Sequence, residues 1–110
     1  MPTTNKISYL KGDNSVPLVN LNMGDFLDEA RAKHGLKNAV VSLIQNRRLS
    51  FDELHFAVIK ASRALIGLGI RSGDRVGIWS TNRTEWIIIQ FAVTRIGAIL
   101  VHINPAYKEH

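Results

Sequence analysis

The sequence predicts an α/β fold in which a short β-hairpin precedes a parallel strand–helix–strand unit whose sheet is incomplete. Two short apolar runs at 75–79 and 98–103 flank a helical pattern at 84–96. Strands joined by a helix are almost always parallel, with a right-handed crossover. A parallel sheet needs both of its faces covered, and few residues follow the second run. We therefore expect these 110 residues to be the first part of a larger α/β domain.

The N-terminal residues 1–21 are predicted to form a polar extension, and residues 22–110 to form part of the domain. Gly12, Pro17 and several Asn, Ser and Thr residues interrupt any apolar pattern in the extension. Asn22 is placed to cap a first helix, and Asp25 lies in its first turn, where the helix dipole favours a carboxylate. Gly35 is the expected end of this helix.

A hairpin and an amphipathic helix are predicted next. The β-rich run 39–44, a turn at 45–47 and residues 48–49 indicate the hairpin. Ser50 and Glu53 have the spacing of a capping box, in which each side chain bonds the backbone N–H of the other residue. The helix is predicted to run to residue 68 and to end at Gly69, which suits a left-handed C-terminal cap. Its apolar face comprises Leu54, Val58, Ala61, Leu65 and Leu68.

The glycines after this helix are interpreted as helix termination and a turn. Gly67, Gly69 and Gly73 have the spacing G-x-G-x-x-x-G, which is one residue too long for a dinucleotide-binding loop. They also precede a strand and not a helix. Asp74 is predicted to begin that strand.

The third helix is predicted to start with Asn82 as its cap and Glu85 three residues further on, and to end at Gly97. Its apolar residues surround it almost completely, so we expect burial on more than one side. Pro105 is predicted to start another element, because proline suits the first turn of a helix.

The composition of the chain argues against several classes of partner and site. The net charge is +5 and the pI about 10.0. The basic residues are scattered and do not alternate with aromatic residues, so we predict a solvated surface and no nucleic-acid partner. The absence of cysteine excludes thiolate chemistry, and the histidines lack metal-ligand spacing. No apolar run is long enough to predict a transmembrane segment. There is no clear targeting signal, which leaves the cytoplasm and the mitochondrial matrix open.

The candidate site lies where the two parallel strands end, because open α/β sheets bind ligands at the carboxyl ends of their strands. The residues nominated there as substrate- or nucleotide-proximal are Ser80, Thr81, Asn82, His102 and Asn104. No catalytic residue and no metal ligand is predicted. The motif residues interpreted as structural are Ser50, Glu53, Gly69, Gly73, Asp74, Glu85, Gly97 and Pro105.

Four blocks of the sequence resemble the acyl-adenylate-forming, or AMP-binding, enzymes. Residues 49–54 read LSFDEL and are similar to the first core motif of that family, L-[TS]-[YF]-x-E-L. The other similar blocks, in the same order, are 67–76, 82–86 and 96–105. The N-terminal residues 8–18 and the segment 104–107 are similar to the medium-chain branch of fatty acyl-CoA synthetases, so the resemblance covers nearly the whole chain.

The resemblance implies a two-step ligase that uses ATP, Mg²⁺ and CoA to convert a fatty acid into acyl-AMP and then into a thioester. The family's phosphate-binding loop, metal-binding glutamate, ribose-binding aspartate and C-terminal lysine have no counterpart in these residues. We therefore expect the chain alone to bind no cofactor, to be inactive and to need the remainder of the synthetase to complete its fold. The alternatives are a non-catalytic truncated product or interaction module, and an adenylating enzyme for an amino or aryl acid.

Overall fold

The computed structural model describes residues 8–108, and within them it contains three helices and two separate two-stranded sheets. Residues 1–7 of the predicted extension and residues 109–110 lie outside the described part. Residues 8–22 form no helix or strand and are exposed. The elements in chain order are α1 (Met23–His34), β1 (Asn38–Ser42), β2 (Arg47–Ser50), α2 (Phe51–Gly67), β3 (Arg75–Trp79), α3 (Thr84–Arg95) and β4 (Ile99–Ile103).

The start of α1 agrees with the predicted cap, whereas the backbone at its end differs from a glycine cap. At the start, the Asn22 side chain accepts the Asp25 backbone N–H at 2.9 Å, so the predicted cap is confirmed. At the other end, Gly35 has a right-handed backbone (φ −39°), not the left-handed one implied by a glycine cap. A Cβ on Gly35 would lie 2.9 Å from both carboxylate oxygens of Asp52. Gly35 therefore leaves room for the Asp52 side chain at the start of α2, and its backbone is not left-handed.

The capping box of α2 is present in both directions. The Glu53 N–H donates to Ser50 Oγ at 3.1 Å, and the Ser50 N–H donates to Glu53 Oε2 at 2.8 Å. At the far end Gly69 has φ +93°. Its N–H bonds the Ile66 carbonyl at 3.0 Å, and the Ile70 N–H bonds the Leu65 carbonyl at 3.1 Å. This pair of bonds is the Schellman arrangement.

The predicted apolar face of α2 is wrong at one residue, Leu68. Leu54 and Val58 are buried, but Leu68 is 80% exposed. The helix ends at Gly67, so Leu68 lies in the C-terminal cap and points away from the core. The third buried α2 residue is Ser62, whose hydroxyl donates to the Val58 carbonyl at 2.8 Å and so satisfies its hydrogen bond locally.

The core forms between the three helices and the β1–β2 hairpin. The helix α3 packs against α1, α2, β1 and β4, so its predicted burial on more than one side is confirmed. The strands β1 and β2 pair antiparallel, with an irregularity between Asn38 and Val40. The buried residues that make up the core are Leu27, Val40, Leu49, Leu54, Val58, Ile88 and Ala92.

The strands β3 and β4 pair in parallel, as predicted, from Arg75 opposite Ile99 to Trp79 opposite Ile103. One face of this sheet lies towards α3, where Trp86 contacts His102 edge-on. The other face is open, and the exposed fractions along it are 59% for Trp79, 49% for Ile99 and 41% for Val101. We call this surface, comprising Trp79, Ile99 and Val101, the open sheet face.

The residues after β4 form a turn and not the predicted helix. The Asn104 side chain accepts the Ala106 N–H at 2.9 Å, and the Tyr107 N–H donates to the Asn104 carbonyl at 3.0 Å. Asparagine supports such a turn by mimicking a backbone acceptor, and the Pro105 backbone angle suits its second position. Pro105 therefore serves a turn within the described residues.

Candidate functional site

The predicted site is the edge at which β3 and β4 end. Because Trp79 and Ile103 are paired residues, the chain leaves the sheet side by side at Ser80 and Asn104. Their side chains already form local bonds. Ser80 Oγ donates to the Thr81 carbonyl at 3.0 Å, and the Asn104 side chain holds its turn. The fold thus brings these two predicted residues to one edge, where each also stabilises its own loop.

The other three predicted residues have different surroundings. The His102 ring lies 4.8 Å from the Trp86 ring, centroid to centroid, at an interplanar angle of 70°, which places it on the α3 side of the sheet. Asn82 lines a groove of about 400 Å³ between the hairpin and the start of α3. Thr81 is exposed. The five residues therefore do not converge on a single point.

A cavity that the sequence reasoning missed adjoins the edge. Trp79, Ile103, Tyr107 and Lys108 line a volume of about 400 Å³. Three of these side chains are apolar or aromatic and the fourth carries an amine. The strand alternation alone places Trp79 and Ile103 on one face. Tyr107 reaches them only because the turn at Asn104 reverses the chain, and this reversal was predicted as a helix.

The predicted cap of α3 is wrong. The N-cap residue is Arg83, and neither its side chain nor that of Asn82 caps the helix. The cap comes from the hairpin turn, where Gln45 Oε1 accepts the Thr84 N–H at 2.8 Å. The side chain of Gln45, which is distant in sequence, takes the place of a local cap. The Asn-x-x-Glu spacing at Asn82 and Glu85 therefore predicted the wrong capping residue.

Gln45 belongs to a polar network that fastens the hairpin to α3. Gln45 Nε2 donates to Glu85 Oε2 at 3.0 Å. Arg47 Nη1 donates to Thr84 Oγ1 at 3.0 Å and to Glu85 Oε1 at 3.2 Å. The hydrogen bond from Gln45, followed by the backbone N–H of Glu85 itself, lowers the pKa of Glu85 from 4.5 to about 2. Thr84 is 1% exposed at the centre of the network.

A second polar cluster joins the three helices. The Arg95 guanidinium donates to both carboxylate oxygens of Asp28, at 2.9 and 3.1 Å. His55 Nε2 lies 2.8 Å from Asp28 Oδ1. The hydrogen bond from Arg95 lowers the pKa of Asp28, and the same bond raises the pKa of Arg95. The cluster lies among α1, α2 and α3 and contacts neither the sheet edge nor its loops, so it serves the packing of the helices.

Residues 8–108 contain no group of three histidine, aspartate or glutamate side chains arranged to hold a metal ion. Glu85, the carboxylate closest in sequence to the β3–α3 loop, is engaged by Gln45 and Arg47. The described residues therefore present no set of ligands for the Mg²⁺ that the resemblance implies. No helix in this part of the chain is both long and apolar enough to cross a membrane.

The fold and the motifs define the class of protein. The family model described as AMP-binding enzyme matches residues 27–110. The chain belongs to this family, which confirms the resemblance found in the four sequence blocks.

Among its relatives is the mouse (Mus musculus) medium-chain acyl-CoA ligase ACSF2, mitochondrial, which is 40% identical over 93% of this chain and 17% of its own length. The acyl-CoA ligase sidI of Beauveria bassiana (strain ARSEF 2860) is 37% identical over 96% of this chain and 18% of its own. The chain thus spans less than a fifth of the length of these relatives.

Solved structures share the fold. A Mycobacterium tuberculosis fatty acyl CoA synthetase superposes with a TM-score of 0.76 at 24% identity, over 78% of this chain and 17% of its own. The anthranilate CoA ligase AuaEII, in complex with anthranoyl-AMP, gives a TM-score of 0.74 at 30% identity, over 80% and 17% of the respective chains. The predicted α/β architecture with an incomplete sheet is therefore confirmed.

Proposed function

We propose that this chain forms the first part of the AMP-binding domain of an ATP-dependent fatty acid–CoA ligase that acts on a medium- or longer-chain acid. The observation that carries the proposal is the 40% identity to a medium-chain acyl-CoA ligase over 93% of the chain. The fold supports it, because 78% of this chain superposes on a fatty acyl CoA synthetase with a TM-score of 0.76.

The proposed reaction has two steps. The fatty acid carboxylate attacks the α-phosphorus of ATP, which gives acyl-AMP and releases pyrophosphate. The thiol of CoA then attacks the acyl carbon and displaces AMP, which leaves the thioester. We assign no proton transfer or phosphate contact to the described residues, and we propose that their contribution is to hold the loops that border the substrates.

The loops in question are residues 80–83 and 104–107. Ser80, Thr81 and Asn104 are the proposed substrate- or nucleotide-proximal residues at the sheet edge, and Asn82 is a further candidate in the same loop. Asn82 is supported because the N-cap position of α3 is occupied by Arg83, so the predicted cap role does not engage Asn82. His102 has less support, since its ring packs on Trp86.

An aryl-acid substrate is the second candidate. It is favoured by the 30% identity to the anthranilate CoA ligase AuaEII, which exceeds the 24% to the fatty acyl CoA synthetase. The acid-binding pocket would distinguish the two, and none of the residues described here is proposed to form it. The aryl-acid alternative therefore differs from the main proposal in substrate and not in reaction class.

A segment exchange tests the proposal. This chain replaces the matched 102 residues of the mouse medium-chain acyl-CoA ligase, and pyrophosphate release is measured with ATP, Mg²⁺, CoA and a panel of decanoate, palmitate and anthranilate. We expect release that depends on decanoate or palmitate, and no release from the 110-residue chain alone. A folded exchange protein that is inactive with every acid contradicts the proposal, and activity with anthranilate only favours the aryl-acid alternative.

A further inference from the structure

A second cavity lies at the opposite end of the parallel sheet from the candidate site. Its volume is about 550 Å³, and it is bounded by the last turns of α2, the loop 70–72 and the end of α3. The loop leads into β3, and the end of α3 leads into β4. A strand of five residues spans about 17 Å, which separates this cavity from the carboxyl edge. We call it the amino-end cleft.

Part of the lining of the amino-end cleft is apolar. Its apolar residues are Ile59, Ile66, Ile70 and Ile96. The two serines that also line it direct their hydroxyls to backbone carbonyls. Ser62 Oγ donates to the Val58 carbonyl at 2.8 Å, and Ser72 Oγ lies 3.4 Å from the Gly97 carbonyl. Because both hydroxyls are engaged, neither serine presents an unsatisfied polar group to an alkyl chain.

The charge of the cleft is positive and unbalanced. Three arginines line it, and no carboxylate does. Arg95 is neutralised by Asp28. Arg63 and Arg71 are exposed, and within residues 8–108 no carboxylate oxygen lies within salt-bridge distance of either guanidinium. The Asp74 carboxylate accepts the backbone N–H of Arg71 at 2.8 Å and forms no salt bridge with its guanidinium within residues 8–108.

We propose that the amino-end cleft binds an alkyl carboxylate, with its chain against the isoleucines and its head group on Arg63 and Arg71. A guanidinium pairs with a carboxylate through two parallel hydrogen bonds. The volume lies within the range of about 300–1,000 Å³ that is usual for small-molecule sites. This site is separate from the sheet edge and does not depend on the proposed ligase reaction, since binding there needs neither ATP nor CoA.

Isothermal titration calorimetry with decanoate, in the absence of ATP, tests the site. The titrated protein is the 110-residue chain carrying Ile99→Thr and Val101→Thr, so that the open sheet face does not compete for the alkyl chain. Adding Arg63→Gln and Arg71→Gln removes both guanidiniums that are proposed to hold the head group, so it is expected to weaken decanoate binding by about tenfold or more. The matched control is Arg48→Gln with Arg75→Gln, which removes the same charge from other surfaces and is expected to leave the affinity unchanged.

Two further measurements distinguish the contribution of the carboxylate head group to binding from that of the alkyl tail. Decanol is expected to bind at least tenfold more weakly than decanoate, and Ile66→Ser, at a residue 58% exposed, is expected to weaken decanoate binding. Thermal unfolding of each variant verifies that it is folded. The proposal is overturned if decanoate does not bind the starting protein, if the control pair weakens binding as much as the cleft pair, or if decanol binds as tightly as decanoate.

Discussion

Gln45 caps α3 from a distance of 39 residues along the chain, its Oε1 accepting the backbone N–H of Thr84 at 2.8 Å. The first N–H groups of a helix have no partner within the helix, and in most helices a preceding Ser, Thr, Asp or Asn satisfies one of them. Here the hairpin turn supplies that acceptor. The position of the β3–α3 loop is therefore tied to the hairpin as well as to the sheet.

Gln45→Ala is expected to lower the free energy of unfolding by about 1 kcal/mol, because it leaves the Thr84 N–H without its cap. The same substitution at Asn82, which caps nothing, is expected to change it by less than about 0.5 kcal/mol. Urea denaturation of the two variants measures the difference. An equal or larger loss of stability for Asn82→Ala would indicate that Asn82, and not Gln45, caps α3.

Glu85 is expected to make stability depend on pH. Its pKa falls from 4.5 to about 2 on folding, so the folded state favours the charged form. The stabilisation is therefore fully present above pH 4.5 and is lost as the pH falls towards 2. The difference in Tm between the wild-type chain and Glu85→Gln should stay constant above pH 4.5 and shrink as the pH falls from 4.5 towards 2. A difference that stays constant over this range would show that the carboxylate is not coupled to Gln45 and its own backbone N–H.

Asp28 and Arg95 are expected to be energetically coupled. Their two hydrogen bonds, at 2.9 and 3.1 Å, hold a guanidinium that is 26% exposed. A double-mutant cycle with Asp28→Asn and Arg95→Gln should give a coupling of about 1 kcal/mol. The matched control is Glu29 and Lys33, a single contact at 3.3 Å between more exposed side chains, for which we expect no more than about 0.5 kcal/mol. Equal couplings would contradict a special role for the three-helix cluster.

Two glycine substitutions are expected to change the free energy of unfolding in opposite directions. Gly97 has φ +78°, and a Cβ there would lie 2.7 Å from Ser72 Oγ, so Gly97→Ala should lower stability by about 1–2 kcal/mol. Gly67 is the last residue of α2, and nothing lies within 4 Å of a Cβ built on it. Gly67→Ala should raise stability by about 0.5–1 kcal/mol. Thermal unfolding of both variants measures the signs, and a stabilising Gly97→Ala would refute the left-handed cap.

The open sheet face is expected to drive self-association of the 110-residue chain. Trp79, Ile99 and Val101 are 59%, 49% and 41% exposed beside unpaired strand edges. Ile99→Thr with Val101→Thr keeps the β-branched shape and should reduce the association seen by sedimentation velocity. The control, Leu36→Thr, changes a side chain that is 93% exposed elsewhere. A larger effect of the control would place the contact on another surface.

Sequence-local bonds account for the elements that were predicted correctly. Ser50 and Glu53 bond each other across three residues, and Gly69 and Gly97 end helices through bonds to the preceding turn. The parallel pairing of β3 and β4 follows from the helix between them, because strands joined by a helical crossover are almost always parallel. The same short patterns carried the family resemblance. Fold class and family could therefore be predicted from the residues in their order along the chain.

Tertiary structure alone decided the features that depend on distant residues. Nothing near Thr84 in sequence indicates that Gln45 caps α3, and the competing local signal at Asn82 pointed to the wrong residue. The cavity at Trp79 needs the chain reversal at Asn104, and the amino-end cleft needs α2, a loop and α3 to meet. Spacing rules describe neighbours within a turn or a strand, whereas these contacts form only when packing brings separate elements within hydrogen-bonding or van der Waals distance.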